Sequence, residues 1–546
     1  MPHIRPCTRS VLQGGWYAGV RLRLLSTDWR LLRALTARIQ MPDVPHDPAT
    51  ASLINKQPAR NGTPQRSRKP PGSRRWRRRT VPKHWRYRLA PDPLKRHPKG
   101  MLRFWTRARR LLWSWWPWTL AFLYAMVQDA WGWATGMGGM ALVSYLIAPS
   151  EFAPQYGLDH EFSVEDEEFL PAMAGATGVP LAQGNRLDIL NNGDAFYPAM
   201  LEAIREAQHS ITIEAYIYWA GEIGQEFADA LAGKASEGLK VKILLDAVGS
   251  STIGTKILTT LEAGGCQLAW YNPIRWYSVG RFNHRTHRKS LIIDGRVAFT
   301  GGAGIADHWT GNAEDPAHWR DMQIRLEGQG VTPLQTGFGQ NWLQTTGELI
   351  SGPLYYPPPE PAGRLVVQTI MSSPEIGAST VRTMYYLSII CARRSIYIAN
   401  PYFVPDEAAL DALADAKKRG VDVRVMVSGI RNDNWLARQN SVRLFGPLLR
   451  AGIEIQEYNL TMLHHKTMVV DSVWGTIGTT NFDNRSFAYN EENNVCFYDE
   501  ELACSMHDMF LADLEGCDRV TLEGWRRRGI VRRAAELVAS LLQEQT

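Results

Sequence analysis

One eight-residue pattern occurs twice in this chain, and the repetition limits what the chain can fold into. His287-Arg288-Lys289-Ser290-Leu291-Ile292-Ile293-Asp294 and His464-His465-Lys466-Thr467-Met468-Val469-Val470-Asp471 both read His-x-Lys-x4-Asp. A glycine follows each at the same distance, Gly301 and Gly478, and all four matching positions stand 177 residues apart. Packing demands apolar periodicity; it does not demand the same histidine, lysine and aspartate at one offset. On a strand, positions two apart share a face. His287 therefore goes with Lys289 and His464 with Lys466, while His465 points the other way. The apolar triplets inside each pattern read as buried strand.

The flanks repeat as well. Asp194 to Gln208 has helical periodicity, Ser210 to Trp219 alternates as a strand, and Gly224 to Ser236 returns to helix. Leu239 to Asp246 reads as strand, Thr252 to Ala263 as helix and Gln267 to Tyr271 as strand. The same order recurs as strand Ser395 to Phe403, helix Asp406 to Arg419, strand Val421 to Val427, helix Asn434 to Ala451 and strand Ile453 to Tyr458. Alternation of this kind indicates an α/β fold with layered sheets flanked by helices. The expected repeats span 175–352 and 365–520, joined by a linker over 353–364 that holds five prolines between Pro353 and Pro361. Each motif follows a Tyr-Asn pair, but the first interval is ten residues longer and carries Trp276, Tyr277, Arg281 and Phe282. That insert reads either as a rim for a lipid headgroup or as a plain solvated loop.

Charge divides the chain. The net +7 is the sum of a head, 1–110, with 27 Lys plus Arg against 4 Asp plus Glu, and an acidic remainder of 34 against 50. An acidic body argues against a nucleic-acid partner, which needs a basic surface to displace counterions. Residues 1–100 lack sustained apolar periodicity and read as a disordered basic segment. They either attract anionic lipid or lie upstream of a natural start at Met101. From Leu111 to Ala148 the only charge is Asp129. With Trp113, Trp115, Trp116 and Trp118 at its basic end, 101–150 reads as a membrane anchor of one long span or two short ones parted near Gln128-Asp129. One span would put the body outside, and a hairpin would keep it inside. The basic tail, 521–546, carries an apolar stripe (Ile530, Ala534, Leu537, Val538, Leu541) that could lie on a bilayer but is expected to dock on its own domain. Six scattered cysteines without a CxxC pair suggest free thiols.

Two imidazoles, two ammonium groups and two carboxylates suit phosphodiester chemistry. One histidine attacks phosphorus, the other protonates the leaving alcohol, and the lysines neutralise the phosphoryl oxygens. Aspartates or other acceptors would orient the imidazoles. The candidate catalytic residues are thus His287, Lys289, Asp294, His464, Lys466 and Asp471. A zinc site fits poorly, because a lysine beside each histidine opposes a cation; no metal and no cofactor is expected.

The doubled motif resembles the phospholipase D superfamily. Gly478-Thr479-Thr480-Asn481, Phe482-Asp483-Asn484-Arg485-Ser486-Phe487, Asn490-Glu491-Glu492, Trp319-Arg320-Asp321 and Asn400-Pro401-Tyr402-Phe403-Val404-Pro405 are similar to its bacterial cardiolipin synthase branch, over roughly 175–525. The resemblance implies one site at a pseudo-two-fold interface, with both His-Lys pairs and Asn481 around one phosphate. Thr479, Asn481 and Glu492 would serve the substrate, and Glu492 would support a histidine. It implies a phosphatidyltransferase acting on phosphatidylglycerol or a related phospholipid at the bacterial inner membrane, through phosphohistidine. A hydrolytic phospholipase D is the alternative; a nuclease is disfavoured by the acidic body and the anchor. One position departs from the family pattern, which has asparagine where Gly304 stands.

Overall fold

The computed structural model describes residues 114–128, 130–147, 157–158, 160–274, 283–374 and 380–545. Two units are distinguished, Met1–Val81 and Pro82–Thr546, and every described residue lies in the second. The basic head, Met101 with its flank, and the insert residues Trp276, Tyr277, Arg281 and Phe282 lie outside the described residues. The apolar run forms two helices, Trp115–Val127 and Trp131–Ile147, packed on one another so tightly that a Cβ on Gly138 would come within 3.1 Å of the Phe122 ring. At 1.5 Å per residue they reach only about 20 and 26 Å, against a hydrocarbon core of about 30 Å. No described helix is long and apolar enough to cross a membrane. Of the two arrangements the sequence allows, the run takes the divided one, with one helix ending at Val127 and the next starting at Trp131.

In the first half the strands are β1 (Ala182–Asn191), β2 (Ser210–Ala215), β3 (Lys240–Asp246), β4 (Gln267–Tyr271), β5 (Arg285–Thr286), β6 (Ser290–Ile293), β7 (Val297–Gly301) and β8 (Met322–Glu327). The second half has β9 (Leu365–Ser372), β10 (Ser395–Ala399), β11 (Asp422–Ser428), β12 (Glu454–Tyr458), β13 (Lys466–Val470), β14 (Trp474–Gly478), β15 (Asn490–Tyr498) and β16 (Cys517–Val520). β2, β3 and β4 are parallel neighbours, and β6, β7 and β8 follow antiparallel on the other side of β2. β10 to β15 repeat that arrangement. The expected two sheets are one. β1 pairs antiparallel with both β8 and β9, and β9 with β15, giving a sheet of 16 strands. Joining the halves this way removes two open edges, each of which would otherwise present unpaired backbone groups.

The motif strands are buried on both faces, which is why they read as continuous apolar runs. Leu291 and Ile293 enter the first half's own core and Ile292 the opposite one; Met468 and Val470 likewise face away from Val469. The core that receives Ile292 and Val469 also takes Phe338, Trp342, Val495 and Phe497, so it belongs to both halves. Helix starts follow local chemistry: Asp406 accepts from Ala409 N and Asn434 from Ala437 N, satisfying amides that have no partner within the helix. The tail helix Ile530–Ala539 docks on the helix Trp435–Arg450 as expected, but its apolar stripe, expected to make that contact, faces outward. Cys266, Cys391, Cys496, Cys504 and Cys517 are free.

Candidate active site

Both histidines stand just before their motif strands, at a cavity of about 180 Å³ where the two halves meet. Each is fixed by the other half. Thr286 of β5 pairs with Glu491, and the His287 amide donates to the Glu491 carbonyl at 2.9 Å. Leu463 bridges Arg320, and the His464 amide donates to the Arg320 carbonyl at 2.8 Å. The residue after each of these carbonyls is a buried carboxylate, and it meets the imidazole. His287 Nδ1 lies 3.0 Å from both oxygens of Glu492. His464 Nδ1 lies 2.8 Å from Asp321 Oδ2. An ionised carboxylate only accepts, so Nδ1 carries the hydrogen and each Nε2 keeps its lone pair.

Neither carboxylate is free to turn. Glu492 also accepts from Thr479 Oγ1 at 2.5 Å and from Asn490 Nδ2 at 3.1 Å. Asp321 accepts from Trp309 Nε1 at 2.9 Å and from the Met322 amide at 2.8 Å. Gly302 makes room for it, since a Cβ there would sit 2.1 Å from Asp321 Oδ1.

The lysines complete each pair. Lys289 Nζ donates to the His287 carbonyl at 2.9 Å and lies 5.5 Å from the centre of the Tyr216 ring. Lys466 Nζ donates to the His464 carbonyl and is 3.1 Å from both ring nitrogens of His464. Equal distances place it over the ring face rather than along a lone pair. Burial dominates the electrostatics. It lowers His287 to about 4, against the pull of Glu492, and holds His464 well below the usual range with help from Lys466 and Lys289. It brings Lys289 down to about 7, with Lys466 adding to the effect, and Lys466 down to about 8. Burial raises Asp321, whereas Glu492 is kept low because His287, Lys289 and Thr479 outweigh its burial. At neutral pH the site thus holds two neutral, oriented imidazoles. Such a pair can attack one side of a phosphodiester and serve the oxygen on the other.

The nine expected residues divide by where they stand. His287, Lys289, His464 and Asn481 line the cavity, and Lys466 lies directly behind His464. Asp294 and Asp471 do not reach it. Each closes the turn after its strand at φ +54°, a left-handed conformation that aspartate tolerates. Asp294 accepts from the amides of Gln208, His209 and Ser210 at 2.7–2.9 Å. Asp471 does the same for Arg393, Arg394 and Ser395 at 2.7–2.8 Å. Three orphan amides at the entrance to β2 or β10 hold each carboxylate, so the imidazoles are oriented by Asp321 and Glu492 instead. Thr479 and Glu492 stand behind His287 rather than on the cavity wall. His465 faces away, towards Thr467 and Asp513.

Sequence reasoning passed over Asp321 as an orienting group, gave Arg485 and Tyr402 no role, and did not single out Arg285, Tyr216 or Asp433; these last five line the cavity. Gly304 also has a local cause. A Cβ there would lie 2.8 Å from the Ile217 carbonyl and 3.1 Å from the Trp309 ring, so the indole that supports Asp321 occupies the room an asparagine would need. Asn481 keeps its amide at the cavity, its Oδ1 buried without a protein partner. Among the described residues, a larger hollow of about 550 Å³ near Leu268, Trp270 and Thr345 is lined by no titratable carboxylate, lysine or histidine.

Comparison with known proteins places the chain in a family. A family model described as cardiolipin synthase, PLD-like domain, matches residues 200–322 and 388–514, one motif in each segment. A cardiolipin synthase of Geobacillus thermodenitrificans is 36% identical over 366 residues, covering 66% of this chain and 73% of that protein. One from Clostridium perfringens is 33% identical over 403 residues, covering 72% and 83%. Among solved structures, the phosphatidylserine synthase of Haemophilus influenzae superposes with a TM-score of 0.53 at 14% identity, over 70% of this chain and all of that one, a likeness of fold. On its doubled motif, its two matched segments and these relatives, the chain belongs to the phospholipase D superfamily, in the cardiolipin synthase branch.

Proposed function

We propose that the protein is a phosphatidyltransferase of the cardiolipin synthase type, with His287 and His464 as its two catalytic imidazoles. The observation that carries this is the pair of buried imidazoles, each held by a carboxylate from the opposite half at 2.8–3.0 Å. Nε2 of one attacks the phosphorus of phosphatidylglycerol. A P–N bond forms, the P–O bond to the headgroup breaks, and the other imidazole, protonated, gives its proton to the departing glycerol oxygen. That imidazole then takes a proton from a hydroxyl of a second phosphatidylglycerol, whose oxygen displaces the histidine. The products are cardiolipin and glycerol, and both imidazoles return to their starting states. Lys289 and Lys466 neutralise the phosphoryl oxygens, and Asn481 offers its amide to one of them. The bound diester anion favours the protonated state that burial opposes in the empty site.

The two helices Trp115–Val127 and Trp131–Ile147 would hold the catalytic body at the inner membrane. Their exposed Leu120, Tyr124, Val127, Trp131 and Trp133 suit a hairpin inserted from one side. The test is to supply phosphatidylglycerol to the detergent-purified protein and follow lipids by mass spectrometry, beside His287→Ala and His464→Ala. Cardiolipin that disappears in both variants supports the transferase. Phosphatidic acid as the sole product would replace it with a hydrolase.

A further inference from the structure

A surface helix ordinarily turns its apolar stripe towards the protein. The helix Ile530–Ala539 does the reverse. Its buried residues are Glu536 and Ala539, whereas Ile530 and Val531 are 85% and 83% exposed and Leu537 and Val538 stand out with them. At about 100° per residue these four and Ala534 share one stripe, opposite Glu536 and Ala539. The orientation is locked from inside. Arg528 grips Glu536 at 2.6 and 2.9 Å, Asn440 Nδ2 donates to the Ala539 carbonyl at 3.2 Å, and Arg443 bonds Gln543. The helix cannot roll its apolar side inward without stripping a buried carboxylate of its arginine.

The surroundings indicate what covers the stripe. Arg526, Arg527 and Arg533 are exposed around it. The helix underneath, Trp435–Arg450, carries the cavity residue Ala437 and begins with an exposed Trp435. The following turn, Ser540–Gln545, touches both Asn484–Ala488 at the cavity rim and the apolar helix Trp131–Ile147. Two copies packed stripe to stripe would bring these arginine clusters together, which opposes a dimer. A surface rich in phosphate satisfies stripe and arginines at once.

We propose that the outward face of Ile530–Ala539 beds into the headgroup layer of an anionic bilayer, with Arg526, Arg527 and Arg533 on lipid phosphates, and so turns the cavity towards its substrates. This binding surface is independent of the reaction proposed above and is tested without turnover. Full-length protein would be reconstituted into vesicles of phosphatidylcholine, alone or mixed with phosphatidylglycerol, containing a lipid photoactivatable in mid-chain; adducts would be mapped by mass spectrometry. Adducts on residues 530–538 should be roughly tenfold or more enriched by phosphatidylglycerol. Replacing these three arginines with glutamine should reduce them to the phosphatidylcholine level, and Ile530→Asp with Val531→Asp should abolish them. All variants should retain activity on lipid in detergent micelles, which also reports that they are folded. Absence of adducts in the wild type, equal yields in both vesicles, or efficient cross-linking of Val531→Cys between two copies would overturn the proposal.

Discussion

Removing Asp321 should separate orientation of the imidazole from binding of the phosphate. Its carboxylate is fully buried and is the acceptor for His464 Nδ1 at 2.8 Å, Trp309 Nε1 at 2.9 Å and the Met322 amide at 2.8 Å. In Asp321→Ala, His464 is free to place its hydrogen on Nε2, which removes the lone pair that faces the cavity, and its protonated form loses its counter-charge. In subtilisin, deleting the orienting aspartate costs about 3 × 10⁴ in kcat, or about 6 kcal/mol at 1.36 kcal/mol per decade. The lysines and His287 remain, so KM should move no more than about threefold while kcat falls by roughly 10³ to 10⁴. Two neutral donors, Trp309 Nε1 and the Met322 amide, are also left buried without an acceptor, at about 1–3 kcal/mol each. Asp321→Asn keeps the volume and one acceptor oxygen, and serves as the milder companion should the alanine variant unfold. The assay is cardiolipin formed in mixed micelles, with near-UV circular dichroism and a thermal melt as checks on folding. A folded variant that retains more than about a tenth of wild-type kcat would refute the orienting role.

The motif aspartates should behave in the opposite way: Asp294→Asn and Asp471→Asn lose an acceptor for strand-entry amides, lowering stability by about 1–3 kcal/mol in denaturant titrations with kcat within about threefold. Because kcat/KM reports the free enzyme, it should be highest below pH 7 and fall as pH rises through 7 to 8, where Lys289 (about 7) and Lys466 (about 8) lose their charge. A plateau extending to the ordinary lysine range would contradict that assignment. Gly302→Ala places a Cβ 2.1 Å from Asp321 Oδ1 and should reproduce the kinetic loss of Asp321→Ala, read in the same micellar assay. Gly304→Asn should lower the melting temperature, with an overpacking cost of about 1–3 kcal/mol, rather than restore a second phosphate-binding amide.

The repeat, the α/β alternation and the two His-Lys pairs were legible in the sequence because each is local. A strand's face is set by its period of two, and an apolar run buried on both sides is visible as such. Most expected helices and strands lie within a few residues of those that form, as with Gly193–Glu206 and Lys240–Asp246. Ser210–Ala215 and Ser395–Ala399 end earlier than expected, where the chain leaves the sheet for the cavity. What the sequence could not assign is the partner of each imidazole. Glu492 stands fourteen residues after Gly478 but Asp321 stands twenty after Gly301, so the constant offset that reveals the motif hides the orienting pair. The extra residues in the first half carry Trp309, whose indole braces Asp321 and excludes a side chain at Gly304. The motif aspartates look catalytic in sequence because the pattern includes them, yet backbone amides at the entry of the neighbouring strand take up their oxygens. Only the tertiary structure could decide this, because the imidazole and its carboxylate come from opposite halves of the chain and meet through backbone pairing across one shared sheet.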